Sequence, residues 1–301
     1  MGIFEGIGGG MMKEGKGVDK NAPQKKGFFL FWDIIWHKFS KFLQANLLYS
    51  SLSILWLAFL YVIAPVRLEW VQSLLGNVEG AQYQAQAMVF GLRETFALIM
   101  FNLWGNPLLA PAYAYILRCF THGDPVWVWS DGWDIFKENF KKSIALFFID
   151  AAVIIMGINA IYFYYIQYIS TGSYAWLFLC GLFCALVFIY TITHYYIYQI
   201  MVTFECGFGE LVKNSILCAI AHLPMSLVHT IISAGLIIGL SFAANPGIVI
   251  VFNLTVGLCV TRFPMEFYAS RVIKKVIRQQ EKNRKNAAKA KITYIKNGED
   301  E

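Results

Sequence analysis

Residues 143–166 read SIALFFIDAAVIIMGINAIYFYYI, and this stretch decides the fold class. Its 24 residues hold one carboxylate, Asp150, and no Lys, Arg or His. A hydrocarbon layer about 30 Å thick is crossed by about 20 apolar helical residues. Strands are excluded because no apolar–polar alternation runs along the segment, and an open strand would leave its backbone unsatisfied in lipid. The segment therefore predicts a transmembrane helix.

Five other stretches read the same way: Phe42–Ala64, Phe96–Phe120, Ser173–Phe204, Ser215–Phe242 and Pro246–Tyr268. The expected fold is an all-α, polytopic transmembrane helix bundle of about six spans. Composition agrees: 57% of the 301 residues are hydrophobic and 15% charged, against roughly 25% charged in a soluble domain. A soluble enzyme, a disordered chain and a disulfide-dense secreted domain are all excluded.

Charge sets the orientation. Of the 25 Lys and Arg, 23 fall in the termini and in the segments 118–142 and 205–214, leaving Arg67 and Arg93 on the other side. By the positive-inside rule both termini are cytoplasmic. The expected organisation is a flexible tail (1–27), a six-span membrane domain (28–270) and a basic tail (271–301). Pro65–Glu94 is the one sizeable outside loop, and no cleavable signal peptide precedes the first span.

The second cytoplasmic segment carries Trp127 and Trp129, followed by Trp133, Phe136 and Phe140 at helical spacing, with Lys137 and Lys141 alongside. This predicts an interfacial amphipathic helix, capped by Ser130 or Asp131, that lies in the headgroup region and then turns into the third span. Its aromatic face is either a lipid anchor or a docking surface for a partner. Phe140–Ile144 resembles Val212–Ile216 at an offset of 72 residues, the pattern of a parallel repeat such as transporters contain.

Ionisable groups inside a span are costly and need partners. Asp150 lies seven residues past Ser143, and His222 seven past Ser215. With His194, near the cytoplasmic end of its span, they form a candidate polar set for proton relay or solute binding. Gly105-Asn106-Pro107 breaks the second span and frees backbone groups, a second candidate feature. Arg262 and Glu266, four apart, read as a snorkelling arginine with its helical ion-pair partner. No metalloprotease, phosphate-loop, nucleophile-elbow or calcium-loop motif occurs. No catalytic residue, metal site or cofactor is therefore expected, and the chain reads as not an enzyme.

The tail from Arg271 is expected to run as a helix to Gln280 and then fray. Its Lys and Arg residues point to anionic lipid headgroups rather than nucleic acid.

The order of features resembles a known family. Asn46-Leu47-Leu48 and Leu55-Trp56-Leu57 precede Gly105-Asn106-Pro107, then Ala110-Pro111-Ala112-Tyr113-Ala114, Arg118 and Phe136-Lys137-Glu138-Asn139-Phe140-Lys141-Lys142-Ser143. This is similar to the YesL-like family of bacterial integral membrane proteins, a domain of unknown function. The likeness covers Phe28–Tyr268 and departs from it by an insertion, Val66–Thr95, and by long basic termini. It implies a bacterial plasma membrane and a neighbourhood of sugar import and glycan degradation, but no assigned site residue. The leading expectation is a non-catalytic accessory protein that contacts a sugar importer permease or a membrane sensor kinase. The rival is a secondary transporter of a small polar solute, using Asp150, His194 and His222.

Overall fold

The computed structural model describes residues 27–66, 68–75 and 80–298. The N-terminal tail expected over 1–27 lies outside them, Gly27 excepted. The described residues are helical, joined by turns, and contain no strand. In chain order the helices are α1 (Gly27–Leu52), α2 (Ile54–Ile63), α3 (Leu68–Leu75), α4 (Ala81–Leu103), α5 (Ala110–His122), α6 (Val128–Thr171) and α7 (Tyr174–Met201). They continue with α8 (Phe208–Ala221), α9 (Leu223–Ala243), α10 (Pro246–Phe252), a π-turn (Asn253–Gly257), α11 (Leu258–Thr261) and α12 (Phe263–Gly298).

Four helical runs are long and apolar enough to cross a membrane: Val128–Thr171, Tyr174–Met201, Leu223–Ala243 and Gly247–Gln279. A fifth is added if α1 and α2, bent by 59° at Ser53, count as one span. The expected span Phe96–Phe120 is instead divided between α4 and α5, and neither half is long and apolar enough by itself.

Position in the bundle differs between spans. The most apolar window of α7 is 17% buried and that of α6 22%, whereas the window in Gly247–Gln279 is 50% buried. The α6–α7 hairpin is therefore peripheral, with Phe148, Met156, Phe178 and Leu186 on its outer surface. Gly157 lets it close: a Cβ there would stand 2.9 Å from Val187 Cγ2. The last run is central, and α1, α4, α5, α7 and α9 pack around it.

Four expectations are corrected. The amphipathic segment is helical, but it does not turn: α6 runs unbroken from Val128 to Thr171, because no Pro lies within it to break the hydrogen-bond ladder. Its first turn is closed by Asp131, which accepts the Trp127 N–H at 2.9 Å. The stretch Pro65–Glu94, expected as an outside loop, is largely helix, forming α3 and the first half of α4. Arg93 ties α4 back to the end of α2 through two hydrogen bonds to Val66 O. The C-terminal helix does not fray after Gln280 but continues to Gly298. Finally, the two halves of the proposed repeat diverge: Asp150 sits inside continuous α6, while His222 marks the break between α8 and α9.

Candidate functional site

Interrupted helices converge where the polar side chains collect. The break after α4 leaves Gly105 at φ +77°, a conformation open to glycine at no steric cost. A Cβ at Gly105 would also stand 2.0 Å from Arg262 Nη1. The freed backbone groups are answered by side chains. Trp56 Nε1 donates to Gly105 O (2.7 Å), and the Asn106 N–H donates to the Tyr49 hydroxyl (2.5 Å). Asn106 Nδ2 donates to Ser53 Oγ (3.1 Å), joining this break to the bend between α1 and α2. The π-turn is served in the same way: Asn46 donates to Thr255 O (2.9 Å) and Ser50 to Leu254 O (3.1 Å). The expected break at Gly105, Asn106 and Pro107 is thus real, and its polar groups face protein.

The break aims Trp104 at the first polar cluster. Its indole stacks on His194, with ring centroids 4.9 Å apart and planes 11° from parallel, and donates to Thr191 Oγ1 (2.9 Å). His194 Nε2 lies 2.9 Å from Asp150 Oδ1, which also accepts from the Tyr190 hydroxyl (2.6 Å). Asp150 is fully buried and His194 is 1% exposed.

The tautomer follows from the other ring nitrogen. His194 Nδ1 lies 3.0 Å from the Tyr190 carbonyl, which can only accept, so Nδ1 carries a proton. The contact with Asp150 then requires one further proton, shared as imidazolium–carboxylate or as imidazole–carboxylic acid. Either form is neutral overall.

The second cluster surrounds Arg262, which is 5% exposed and therefore does not snorkel, contrary to expectation. The π-turn explains the difference: one extra residue in a turn rotates everything after it by about 100°. Arg262 Nε lies 3.4 Å from Glu266 Oε1, and its guanidinium packs 5.7–5.8 Å from the ring centres of Tyr49, Tyr113 and Tyr198. Gln199 donates to the other Glu266 oxygen (2.6 Å) and to Ala114 O (3.1 Å). Tyr113 donates to Asn46 Oδ1 (2.6 Å).

The two clusters adjoin. Tyr198 sets its ring edge-on to His194, at 5.9 Å, and its face to Arg262. A void of about 10 Å³ is lined by His194, Asn102, Ser233, Thr261, Arg262 and Glu266, roughly the volume that one water needs. Three buried polar atoms around this centre have no partner among the described residues: Asp150 Oδ2, Tyr198 OH and Gln199 Oε1. The site is closed, polar and short of hydrogen bonds.

Of the expected polar set, Asp150 and His194 meet and His222 does not. His222 Nδ1 is 3.2 Å from the Tyr268 hydroxyl, and its ring stacks on Tyr196. The sequence reading passed over Tyr49, Trp104, Tyr190, Tyr198 and Gln199. Gln199 alone gave a signal, as an amide inside an apolar run. Trp127 (80% exposed) and Trp129 (64%) stand out from the fold, with Trp133 and Phe140 partly so. Trp133 stacks on Phe136 at 5.1 Å, and Trp129, Trp133 and Phe136 line an apolar crevice against Leu48 and Leu52 of α1.

Compared with known protein families, with curated proteins and with solved structures, the chain matches none.

Proposed function

We propose that this chain crosses a bacterial plasma membrane six times, α1–α2 and α4–α5 each as one broken span, with both termini in the cytoplasm, and that it carries a small polar solute with exchange of a proton at Asp150–His194. The observation that carries this reading is the hydrogen-bond pattern of His194. Its Nδ1–H is committed to Tyr190 O, so the contact with Asp150 holds one dissociable proton. In the closed bundle neither residue is reached by solvent. Release of that proton therefore favours a state in which water or a solute reaches the site, which is the coupling a transporter needs.

Arg262–Glu266 and the water-sized void extend the polar path from His194 toward α12. Opening would separate elements that already meet at breaks: the α1–α2 bend, the α4–α5 turn and the π-turn. The likeness of Gly105–Ser143 to the YesL-like family is proposed alongside, and it directs the solute search to sugars.

The test uses full-length protein in liposomes with an entrapped pH dye, challenged with mono- and disaccharides. The reading expects solute-dependent proton movement that is lost in Asp150→Asn. No proton movement with any sugar, or movement unchanged in Asp150→Asn, would contradict it.

A second reading is favoured by the exposure of Trp127 and Trp129: a non-catalytic accessory role, docking on a sugar importer or sensor through the start of α6. Co-purification of an importer permease from native membranes, lost in Trp127→Ala/Trp129→Ala, would support it. Purification of the chain without such a partner would count against it.

A further inference from the structure

A second polar space lies well away from this closed site. A cavity of about 490 Å³ opens between the start of α1, the end of α5 and the middle of α12. Ligand pockets begin at roughly 300 Å³, so there is room for a phosphorylated headgroup. Arg271, Lys274 and Arg278 line it from α12, at i, i+3 and i+7, which places all three on one helix face. Lys38 lines it from α1, where the backbone kinks at that residue. Asp33 is the one carboxylate in the wall, and its oxygen lies 3.4 Å from His37 Nδ1.

Among the described residues, neither Lys274 nor Arg278 forms an ion pair. Lys38 donates to the Phe120 carbonyl (3.4 Å) and lies over the Phe120 ring. Arg271 lies over the Phe267 ring at 5.3 Å and presses on Gly27, where a Cβ would stand 2.2 Å from its Nη1.

His122 stands in the same wall as a neutral ring. Burial, helped by Lys274, Arg118 and Arg278 and opposed by Asp124, pulls its pKa down to about 4. Its Nε2 is buried without a partner. Lys38, Arg271, Lys274 and Arg278 therefore line one space, with the His122 ring in its wall.

The other side of α1 tells where this space sits. Phe28, Phe29, Trp32 and Trp36 are 47–77% exposed, while Leu30, Asp33, Ile34 and His37 line the cavity. An outward aromatic face beside a basic pocket is the arrangement of a helix at the lipid–water boundary. Basic pockets at that level suit anionic headgroups.

We propose that this cavity binds a phosphate-bearing anion, with Arg271, Lys274 and Arg278 opposing its charge. The same chemistry is offered by an anionic lipid headgroup and by a soluble phosphate, and the test separates them.

The full chain in detergent is melted with added phosphatidylglycerol, with phosphatidylcholine, and with inorganic phosphate or glycerol phosphate. The expected result is a rise in midpoint with phosphatidylglycerol and none with phosphatidylcholine. The double variant Lys274→Gln/Arg278→Gln should weaken the apparent affinity about thirty-fold, since each basic residue near an anionic surface contributes about a factor of five. The control Lys289→Gln/Lys291→Gln, in the tail beyond the cavity, should keep the rise. A response to soluble phosphate alone, lost in the double variant, would keep the site and make its ligand a free anion. Equal responses to both lipids without a response to phosphate, or a phosphatidylglycerol response that survives the double variant, would overturn the proposal. Circular dichroism of the double variant shows that it is folded before either result is read.

Discussion

Arg262 and Arg278 stand sixteen residues apart on the last helical run, and their surroundings are opposites. Arg262 is buried, faces Glu266, and is packed by three tyrosine rings. Arg278 lines an open cavity with Arg271 and Lys274, beside a histidine whose Nε2 has no partner. The first arginine has its counter-charge in the sequence, four residues on. The second has none among the described residues. One position is closed in with its partner, and the other lines an open basic cavity.

Four variants sharpen that comparison. The largest effect is expected from Glu266→Gln, which leaves Arg262 buried and unopposed. Breaking such a pair costs about 3–5 kcal/mol, and melting of the solubilised chain should show it. Replacing both partners together, Arg262→Met with Glu266→Leu, should recover much of the loss. If the single variant melts like the parent, Arg262 is not closed in as described.

Next is Gly105→Ala. The left-handed backbone costs a side chain about 1–2 kcal/mol, and the new Cβ meets Arg262 Nη1, which must move. The same melt checks it, and the loss should shrink in the Arg262→Met/Glu266→Leu background. Trp56→Phe removes the donor to Gly105 O and should cost about 1–3 kcal/mol.

The smallest effect belongs to the open cavity. His122 resists protonation in the fold, so between its ordinary value of 6.5 and about 4 the unfolded chain takes up the proton first. Stability should fall as pH drops through that window and level off below it. His122→Gln should flatten this slope, as a pH series of melts would show. Bound phosphate should favour the imidazolium and also flatten it in the parent.

Much of the bundle was legible because apolar length speaks for itself. The runs at 143–166 and 173–204 became α6 and α7, and Gly105-Asn106-Pro107 became a turn. Asp150 and His194 stood out in the sequence as polar groups inside apolar runs, together with His222, but which histidine Asp150 meets did not. What failed was anything that depended on helix phase. His222 left the polar set because α8 ends there and α9 begins at Leu223 with Pro224 in its first turn. Arg262 turned inward because a π-turn shifted the face on which it falls. Continuity failed too: α6 passes through Lys141 and Lys142 without a bend, although the charge pattern suggested two elements. The tyrosines around Arg262 come from α1, α5 and α7, and no local spacing announces such a meeting.

The ¹⁵N spectrum of His194 in the full chain in lipid, assigned by comparison with His194→Gln, reads the proton shared with Asp150 directly. Nδ1 should carry a proton and Nε2 should show a strong hydrogen bond, with a signal that shifts when Asp150 is replaced by Asn. A bare Nδ1, with the ring's single proton on Nε2 facing an ionised Asp150, would leave no shared proton to exchange and would contradict the account.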